Sequence, residues 1–338
     1  MSELHVEVVR LGPIEAHPNA DTLMVTKVFD YTVVIKRGLF SEGDLAVYVP
    51  VDAVVPDTDA WHWLAPTDAA GKPKFVVGQV PEKYRRIDAK KIRGTFSQGY
   101  LAALPAGDWQ VGDNLLDAMG ITKYEPAAEV TTHGETEKAP HGWFFQTYTD
   151  LEGMRRYPDI IQDGEGVVVT EKIHGANARY VHDGSRLWVG SRTQIKRKSD
   201  TSLWWSVAQE EGLEEKLAKF PMHIFFGEVY GQVQDLKYGV KSGAKFCCFD
   251  VFDVRQKKYL DFHEAADMAN RAGLQWAPVL HVGPWSQDLM GLCEGKSTIA
   301  DNVREGFVVR PLRERWHEAI GRVILKRPGE GYYLRNRK

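Results

Sequence analysis

The chain has 338 residues, 43% of them hydrophobic, a formal net charge of −3 and three cysteines. That length and composition suit two ordinary domains with real cores and exclude a low-complexity or disordered chain. The charge excludes a globally basic nucleic-acid binder, so any such surface must be a local patch.

Cys247 and Cys248 are adjacent and Cys293 is distant, so no CxxC pair exists. Neither a zinc knuckle nor a disulfide framework is indicated, which fits a reducing, cytoplasmic setting. The opening segment MSELHVEVVRLG alternates polar and apolar residues and lacks the apolar core of a signal peptide. No apolar run approaches the length of a membrane span, so no membrane partner is expected.

In chain order, residues 5 to about 125 read as β-rich. A first strand is expected around Val6 and Val8, then Leu23–Val28, Tyr31–Ile35 and Asp44–Val49. Turn signals separate them at His17-Pro18-Asn19-Ala20-Asp21 and Ser41-Glu42-Gly43-Asp44. Short strands at this spacing suggest a small barrel or sandwich. The HPNAD turn before an apolar strand also resembles OB-type nucleic-acid-binding barrels.

The densest basic stretch follows. Lys83, Arg85, Arg86, Lys90, Lys91 and Arg93 stand against Glu82 and Asp88. Such a run is either a solvated, salt-bridged face or a patch that tracks phosphates, whose contacts give affinity without sequence information. Next come the GTFSQG segment from Gly94 and the apolar run Tyr100–Leu104. Residues 126–142 are polar and punctuated by Pro and Gly, the composition of a linker. The expected domains are therefore 1–125 and 143–338.

In the second domain, strands are expected at Val167–Thr170, Ala178–Val181, Arg186–Gly190, His223–Tyr230, Lys245–Phe252, Gly306–Arg310 and Arg322–Lys326. A helix over roughly 203–219 is expected after an Asp200-Thr201-Ser202 cap. Asp261 and Glu264 suggest a capping box for a second helix through about Arg271. Strands dominate and no βαβ repeat appears. The fold class is α+β with largely antiparallel sheets, not a doubly wound fold.

The first of these strands runs into Glu171-Lys172-Ile173-His174-Gly175-Ala176-Asn177. Strand, Lys-x-x-Gly, strand is the form in which a lysine takes up a nucleotide covalently, although four letters alone arise by chance in most proteins. What raises the motif above chance is its company. Ser191-Arg192, Phe226-Gly227-Glu228, Phe249-Asp250, Glu305-Gly306-Phe307 and Leu325-Lys326 follow in order, mostly at strand ends.

This ordered set resembles the covalent nucleotidyltransferases: DNA ligases, RNA ligases and mRNA capping enzymes. The form EKIHGAN followed by Ser-Arg looks like the RNA ligases, and the β-rich first domain looks like the RNA ligase family whose OB-type domain precedes the adenylyltransferase domain. The resemblance implies an ATP-dependent enzyme with Mg²⁺ or Mn²⁺. It would join a 3′-hydroxyl to a 5′-phosphate on RNA, at nicks in duplexes, with no obligate protein partner. A DNA ligase, another nucleotidyltransferase, or a non-catalytic OB-type binding protein stands as the alternative.

The resemblance also implies roles. Lys172 would be the nucleophile that becomes lysyl-AMP. It must attack as the neutral amine although a lysine's ordinary pKa is about 10.4, and nearby cations (a metal ion, Arg192, Lys326) would lower that value. Glu171, His174, Gly175, Asn177, Arg192, Glu228 and Phe249 would contact the nucleotide, Phe249 by stacking and Glu228 at a ribose hydroxyl. Glu305 and Asn177 would serve the metal, and Lys326 would grip the α-phosphate. Asp250 is open between site and structure. The family's last motif carries two lysines one residue apart. Here Arg327, next to Lys326, would point the other way in a regular strand, so a second cation is missing or comes from elsewhere. Arg192, Lys196, Arg197 and Lys198 form a second basic run. With 83–93 and Arg335, Arg337 and Lys338, it would frame a groove for a duplex backbone.

Overall fold

Short apolar runs bounded by turn residues form strands throughout the structure, a computed structural model that describes residues 4–124, 136–138 and 146–335. The chain divides into two compact units, Met1–Pro126 and Ala127–Lys338. Apart from 136–138, the segment expected as a linker lies outside the described residues, as do Arg337 and Lys338. Among the described residues no helix is long and apolar enough to cross a membrane.

The first unit contains β1 (Glu7–Arg10), β2 (Ile14–Ala16), β3 (Leu23–Val28), β4 (Tyr31–Lys36), β5 (Leu45–Val49), β6 (Ala53–Val54), α1 (Glu82–Arg85), β7 (Lys90–Ile92), β8 (Thr95–Ser97), β9 (Tyr100–Ala102) and β10 (Thr122–Lys123). Sheets β1-β5-β9 and β2-β3-β4 carry most of it. Gln98 N–H donates to Thr32 O and Val34 N–H to Ser97 Oγ, which joins β4 to the β8–β9 segment and curls the strands toward a barrel. Val9, Val33, Ile35, Ala46 and Leu101 fill one side of β1-β5-β9. Val8, Val47, Val49 and Trp61 fill the other, so β5 is buried on both faces.

The second unit contains β11 (Thr136–Glu137), β12 (Glu152–Gly153), β13 (Gly166–Glu171), β14 (Ala176–His182), β15 (Leu187–Ser191), β16 (Ile195–Lys196), α2 (Leu203–Glu210), α3 (Leu213–Leu217), β17 (His223–Gly231), β18 (Ala244–Asp253), β19 (Lys258–Tyr259), α4 (Phe262–Arg271), β20 (Val279–Pro284), β21 (Gly306–Pro311), β22 (Trp316–His317), β23 (Gly321–Arg322), β24 (Leu325–Pro328) and α5 (Glu330–Leu334). One sheet has the order β11-β16-β15-β14-β17-β18-β19 and the other β12-β24-β21-β13-β20. Pairing is antiparallel except between β12 and β24.

Period-2 alternation assigns each strand residue to a face. Ala178, Tyr180, Phe225 and Val229 face the core shared with Trp204, Val207, Leu213 and Ala265 of the helices. Val181, Ile224, Phe226 and Phe252 face the opposite way, into a core that Ile324 and Val308 enter from the second sheet. Asn177 and Arg179 share the inward face of Val181, and Glu228 shares that of Phe226. The Lys172–Gly175 connection carries the chain from one sheet to the other.

That crossing is tight. A Cβ on Gly175 would stand 2.1 Å from the carbonyl oxygen of Val229 on β17, so only glycine fits. A buried charge cluster spans the same interface. Asp250 of β18 accepts from Arg310 of β21 at 2.9 Å, from Arg322 of β23 at 2.7 Å and from Tyr148 Oη at 3.0 Å. Glu314 completes it, 3.1 Å from Arg310 and 2.6 Å from Arg322. Burial alone would raise the Asp250 carboxyl, but the two guanidinium groups outweigh it and hold the carboxyl below the usual range. Asp250 is thus a structural residue.

Three local expectations are corrected. The helix over 203–219 is two helices, because Gly212 at φ 63° takes the left-handed conformation between them. Neither expected cap forms: Ser202 makes no side-chain cap bond, and the Asp261 carboxylate instead accepts Glu314 N–H at 2.7 Å. The strand over 322–326 is interrupted, with β23 ending at Arg322 and β24 beginning at Leu325.

Two outcomes follow. Asp250→Asn should lower stability in urea unfolding at pH 7 by about 3–5 kcal/mol, because it strands two buried cations. The deficit should be full above the ordinary carboxylate pKa of about 3.9 and shrink as pH falls further and the wild-type carboxyl takes up its proton. A deficit under about 1 kcal/mol, or one that grows on acidification, would contradict the cluster's role. Gly175→Ala should cost about 1–3 kcal/mol by overpacking against β17, read by the same unfolding curves.

Candidate active site

Lys172 leaves β13 with its backbone fixed: Lys172 N–H donates to Gly306 O at 3.0 Å, and Glu171 N–H to Pro278 O at 2.8 Å. Its Nζ lies 2.8 Å from Glu305 Oε1, and its side chain keeps 22% of its surface exposed, so a ligand can reach it. Glu305 directly precedes β21, the neighbour of β13. Glu228 sits on β17 opposite Asn177 of β14, and Gly175 N–H donates to its carboxylate. Lys-x-x-Gly, Glu228 and Glu305, far apart in sequence, thus converge between the two sheets.

The charges act on one another strongly. Burial would lower the Lys172 ammonium, but Glu305 and then Glu228 outweigh it and hold its pKa above the ordinary lysine value. Burial would raise Glu305, but Lys172 and His174 bring it down to about 2. Burial pushes Glu228 up to about 7, with Lys172 opposing and Glu305 reinforcing. The expectation that Arg192 and Lys326 depress the lysine is therefore corrected. Its dominant charged neighbours are the carboxylates of Glu305 and Glu228, and they favour its protonated form. Arg192 instead pairs with Asp150 and reaches Tyr148 O at 3.5 Å.

Glu171 is buried, and its Oε2 accepts Thr298 N–H at 2.8 Å and Thr298 Oγ1–H at 2.7 Å. Its Oε1 is buried without a hydrogen-bond partner, as are Asn177 Oδ1 and Glu305 Oε2. His174 Nδ1 stands 3.4 Å from Glu305 Oε2. Unsatisfied buried oxygens of this kind fit a hard divalent cation. Among the described residues no three His, Cys, Asp or Glu side chains form a metal cage.

Phe249 owes its position to a β-bulge. Phe226 pairs with Asp250 and Gly227 with Cys248, so Phe249 is the extra residue and its ring is re-aimed. It is half-buried, 4.9 Å from the Tyr148 ring and against the cluster containing Ile173. Phe246 and Phe252, its neighbours on the strand, are buried in the two cores. Lys326 lies in register with Val308, and Val308 with Thr170. Burial alternates along β24, so Lys326 takes the half-buried face and Arg327 the buried one. Arg327 is not the second cation beside Lys326.

The basic runs are thinned by the fold. Arg85 donates to Val80 O at 3.0 Å and Val55 O at 2.6 Å, and Arg86 pairs with Asp52. Lys83, Lys90, Lys91, Arg93 and Arg197 are exposed. Lys196 is buried on Gln194 at 2.8 Å, so its expected exposure is corrected. Arg335 is likewise no free phosphate contact, since it lies 2.8 Å from Asp235. The HPNAD turn is also tied into its own unit. His17 Nε2 bonds Ile92 O and Asn19 Nδ2–H donates to Arg93 O, both at 3.0 Å.

Sequence reasoning missed the loop between β17 and β18. Gln234 Nε2–H donates to Gly175 O at 2.5 Å, Asp235 Oδ1 lies 2.8 Å from His174 Nε2, and His174 N–H donates to Tyr238 Oη at 2.8 Å. It missed Arg179 too, whose buried guanidinium donates to the carbonyls of Ser191 and Gln146, both at 2.8 Å. Burial pulls its pKa down to about 10. The inward parity of residue 179 after Asn177 was the available signal.

Residues 165–328 match a family model described as RNA ligase, and residues 5–105 match an OB-fold domain model. No curated protein matches in sequence. Among solved structures, the chain is similar to a Naegleria gruberi RNA ligase with PPi, at TM-score 0.81 and 23% identity over 99% of each chain. It is similar also to a glutamate-to-alanine mutant of that ligase with AMP and Mn, at TM-score 0.81 and 22% identity over 99% of each chain. A lysine-to-alanine mutant with ATP and Mn gives TM-score 0.79 and 22% identity over 98% of each chain. These likenesses place both units in the ligase's fold. Residues 165–328 therefore carry an RNA ligase family domain, with an OB-fold domain ahead of it in the chain.

Proposed function

We propose that the chain is an ATP-dependent RNA ligase that seals nicks in duplexes, in an RNA-repair role. The convergence of Lys172, Glu305 and Glu228 at the sheet crossing carries this reading. The relatives solved with ATP, AMP and Mn support it.

Three transfers follow. Lys172 Nζ, once deprotonated, attacks the α-phosphorus of ATP. An N–P bond forms, the bond to pyrophosphate breaks, and lysyl-AMP results. The RNA 5′-phosphate then takes the AMP from the lysine. Last, the 3′-hydroxyl attacks the activated 5′-phosphorus, and AMP leaves.

The chain's residues have definite work in the first transfer. Glu305 holds the Lys172 ammonium in line before nucleotide arrives. Glu305 and Asn177 offer the oxygens that would hold Mg²⁺ or Mn²⁺. Such an ion, when bound, supplies positive charge that competes with the lysine for Glu305 and offsets charge on the phosphates. Lys326 grips the α-phosphate and Arg192 a phosphate or the ribose, released from Asp150 for the purpose. Phe249, re-aimed by its bulge, stacks on adenine. Glu171 and His174 line the nucleotide site. Glu228 takes the ribose hydroxyl, as acceptor when ionised and as donor when protonated below about pH 7.

Lys83, Lys90, Lys91, Arg93 and Arg197 are the exposed cations proposed to contact RNA phosphates. The functional domains are 1–125 for nucleic acid and 143–338 for adenylylation, with 126–142 between them. The three cysteines are buried and free, in keeping with a cytoplasmic enzyme.

Purified protein given radiolabelled ATP and Mg²⁺ should acquire covalent label that Lys172→Ala abolishes. No label, or label from GTP instead, would overturn the reading. Sealing of a nick with a DNA 3′-hydroxyl strand as fast as one with RNA would make it a DNA ligase. Deleting residues 1–125 should abolish sealing while leaving labelling intact in a remainder shown to be folded by circular dichroism. Loss of labelling there would contradict the division of labour.

A further inference from the structure

The site depends on a group of side chains outside the motif set. The loop between β17 and β18 grips the motif at successive atoms: Gln234 at Gly175 O, Asp235 at His174 Nε2, and Tyr238 Oη at His174 N–H. Tyr238 holds this place in a left-handed conformation, φ 49°, which a bulky residue adopts only under constraint. From the other side comes α5. Tyr332 Oη stands 3.3 Å from His174 Nδ1. Arg335 Nε donates to Asp235 Oδ2 at 2.8 Å while its guanidinium lies 3.8 Å from the Tyr332 ring centroid. The helix start is itself pinned: Glu294 accepts Glu330 N–H at 2.6 Å and Gly331 N–H at 3.1 Å.

Asp235 is the hub: its Oδ1 bonds His174 Nε2 at 2.8 Å and accepts Arg335 Nη2–H at 3.3 Å, and its Oδ2 accepts Arg335 Nε–H at 2.8 Å. With Asp235 on Nε2, the Nδ1 edge of the imidazole is left facing Glu305 and Tyr332. A carboxylate on one ring nitrogen fixes ring orientation and the role of the other nitrogen. Glu305 Oε2 is the oxygen that Nδ1 approaches, and Glu305 Oε1 is the one that holds Lys172.

We propose that Asp235, with Tyr332 of α5 and Arg335 directly after it, forms a positioning clasp that sets His174 against Glu305 and so fixes the nucleophile's geometry for adenylylation. Asp235 and Arg335 need touch neither nucleotide nor RNA. The inference rests on the adenylylation reading above. It also assigns a function to the chain segment after Lys326, coupling it to the Lys-x-x-Gly turn.

The test is single-turnover labelling of the full chain with radiolabelled ATP and Mg²⁺, with rate followed against ATP concentration. Asp235→Asn should lower the saturating rate about tenfold to a hundredfold with little change in half-saturating ATP, the size seen when a group supporting a site residue is removed. Asp235→Glu, which keeps the charge, should recover part of that rate. In a His174→Gln background, Asp235→Asn should cost little more, since it acts through the histidine. Equal losses in both backgrounds, an unchanged rate, or a loss confined to half-saturating ATP would overturn the clasp. Thermal unfolding of each variant identifies misfolding, and a rate loss matched by lost folded fraction would count against it. Wild-type protein that takes no label would instead refute the adenylylation reading itself.

Discussion

The second unit is arranged around one ion pair. Lys172 and Glu305 lie on neighbouring strand ends of one sheet and meet Glu228 from the other, at the turn where the chain crosses between them. A cation between two carboxylates in a partly desolvated cleft is a stable arrangement for an ammonium and a poor one for an attacking amine. The resting site is therefore a held state. Under the proposed function, reaction requires the carboxylates to be drawn toward another positive charge, for which the unsatisfied buried oxygens of Glu305 and Asn177 are the proposed ligands. Under the proposed function, the pair that orders the lysine also keeps it an unreactive ammonium.

The surroundings make that crossing rigid. Gly175 lets the turn lie against β17 with no room for a side chain. The Asp250–Arg310–Arg322 cluster joins the two sheets through charges that water does not screen. The loop of Gln234, Asp235 and Tyr238 holds the motif from one side, and α5 holds it from the other. Precise placement is what phosphoryl-group transfer most needs from a protein, because little other covalent chemistry is asked of it.

Much of this was legible before the fold. Strand runs such as Leu23–Val28 and Gly166–Glu171 are Val-rich and bounded by turns, so period and composition agree. The ordered motif set located Lys172, Glu228 and Glu305 because each sits beside or within a regular strand. Other features depended on tertiary partners that spacing does not encode. The bulge at Phe249 arises from how β17 and β18 register, and Asp250's partners come from strands 60 and 72 residues away. The charged neighbours expected for Lys172 differ most from those found. Counting nearby cations along the sequence overlooked that Arg192 is paired to Asp150 and that two acids face the lysine. Lys196 failed in a similar way: both residues of β16 are buried, and the lysine's ammonium turns to Gln194 and the Trp204 ring.

The central claim is that Lys172 accepts the nucleotide. Peptide mass mapping of the protein after incubation with ATP and Mg²⁺ addresses it most directly. The account predicts that one AMP is added, on the peptide containing Glu171-Lys172-Ile173-His174, at the Lys172 side chain. An AMP carried on any other residue, or no modified peptide from protein that is folded, would contradict it.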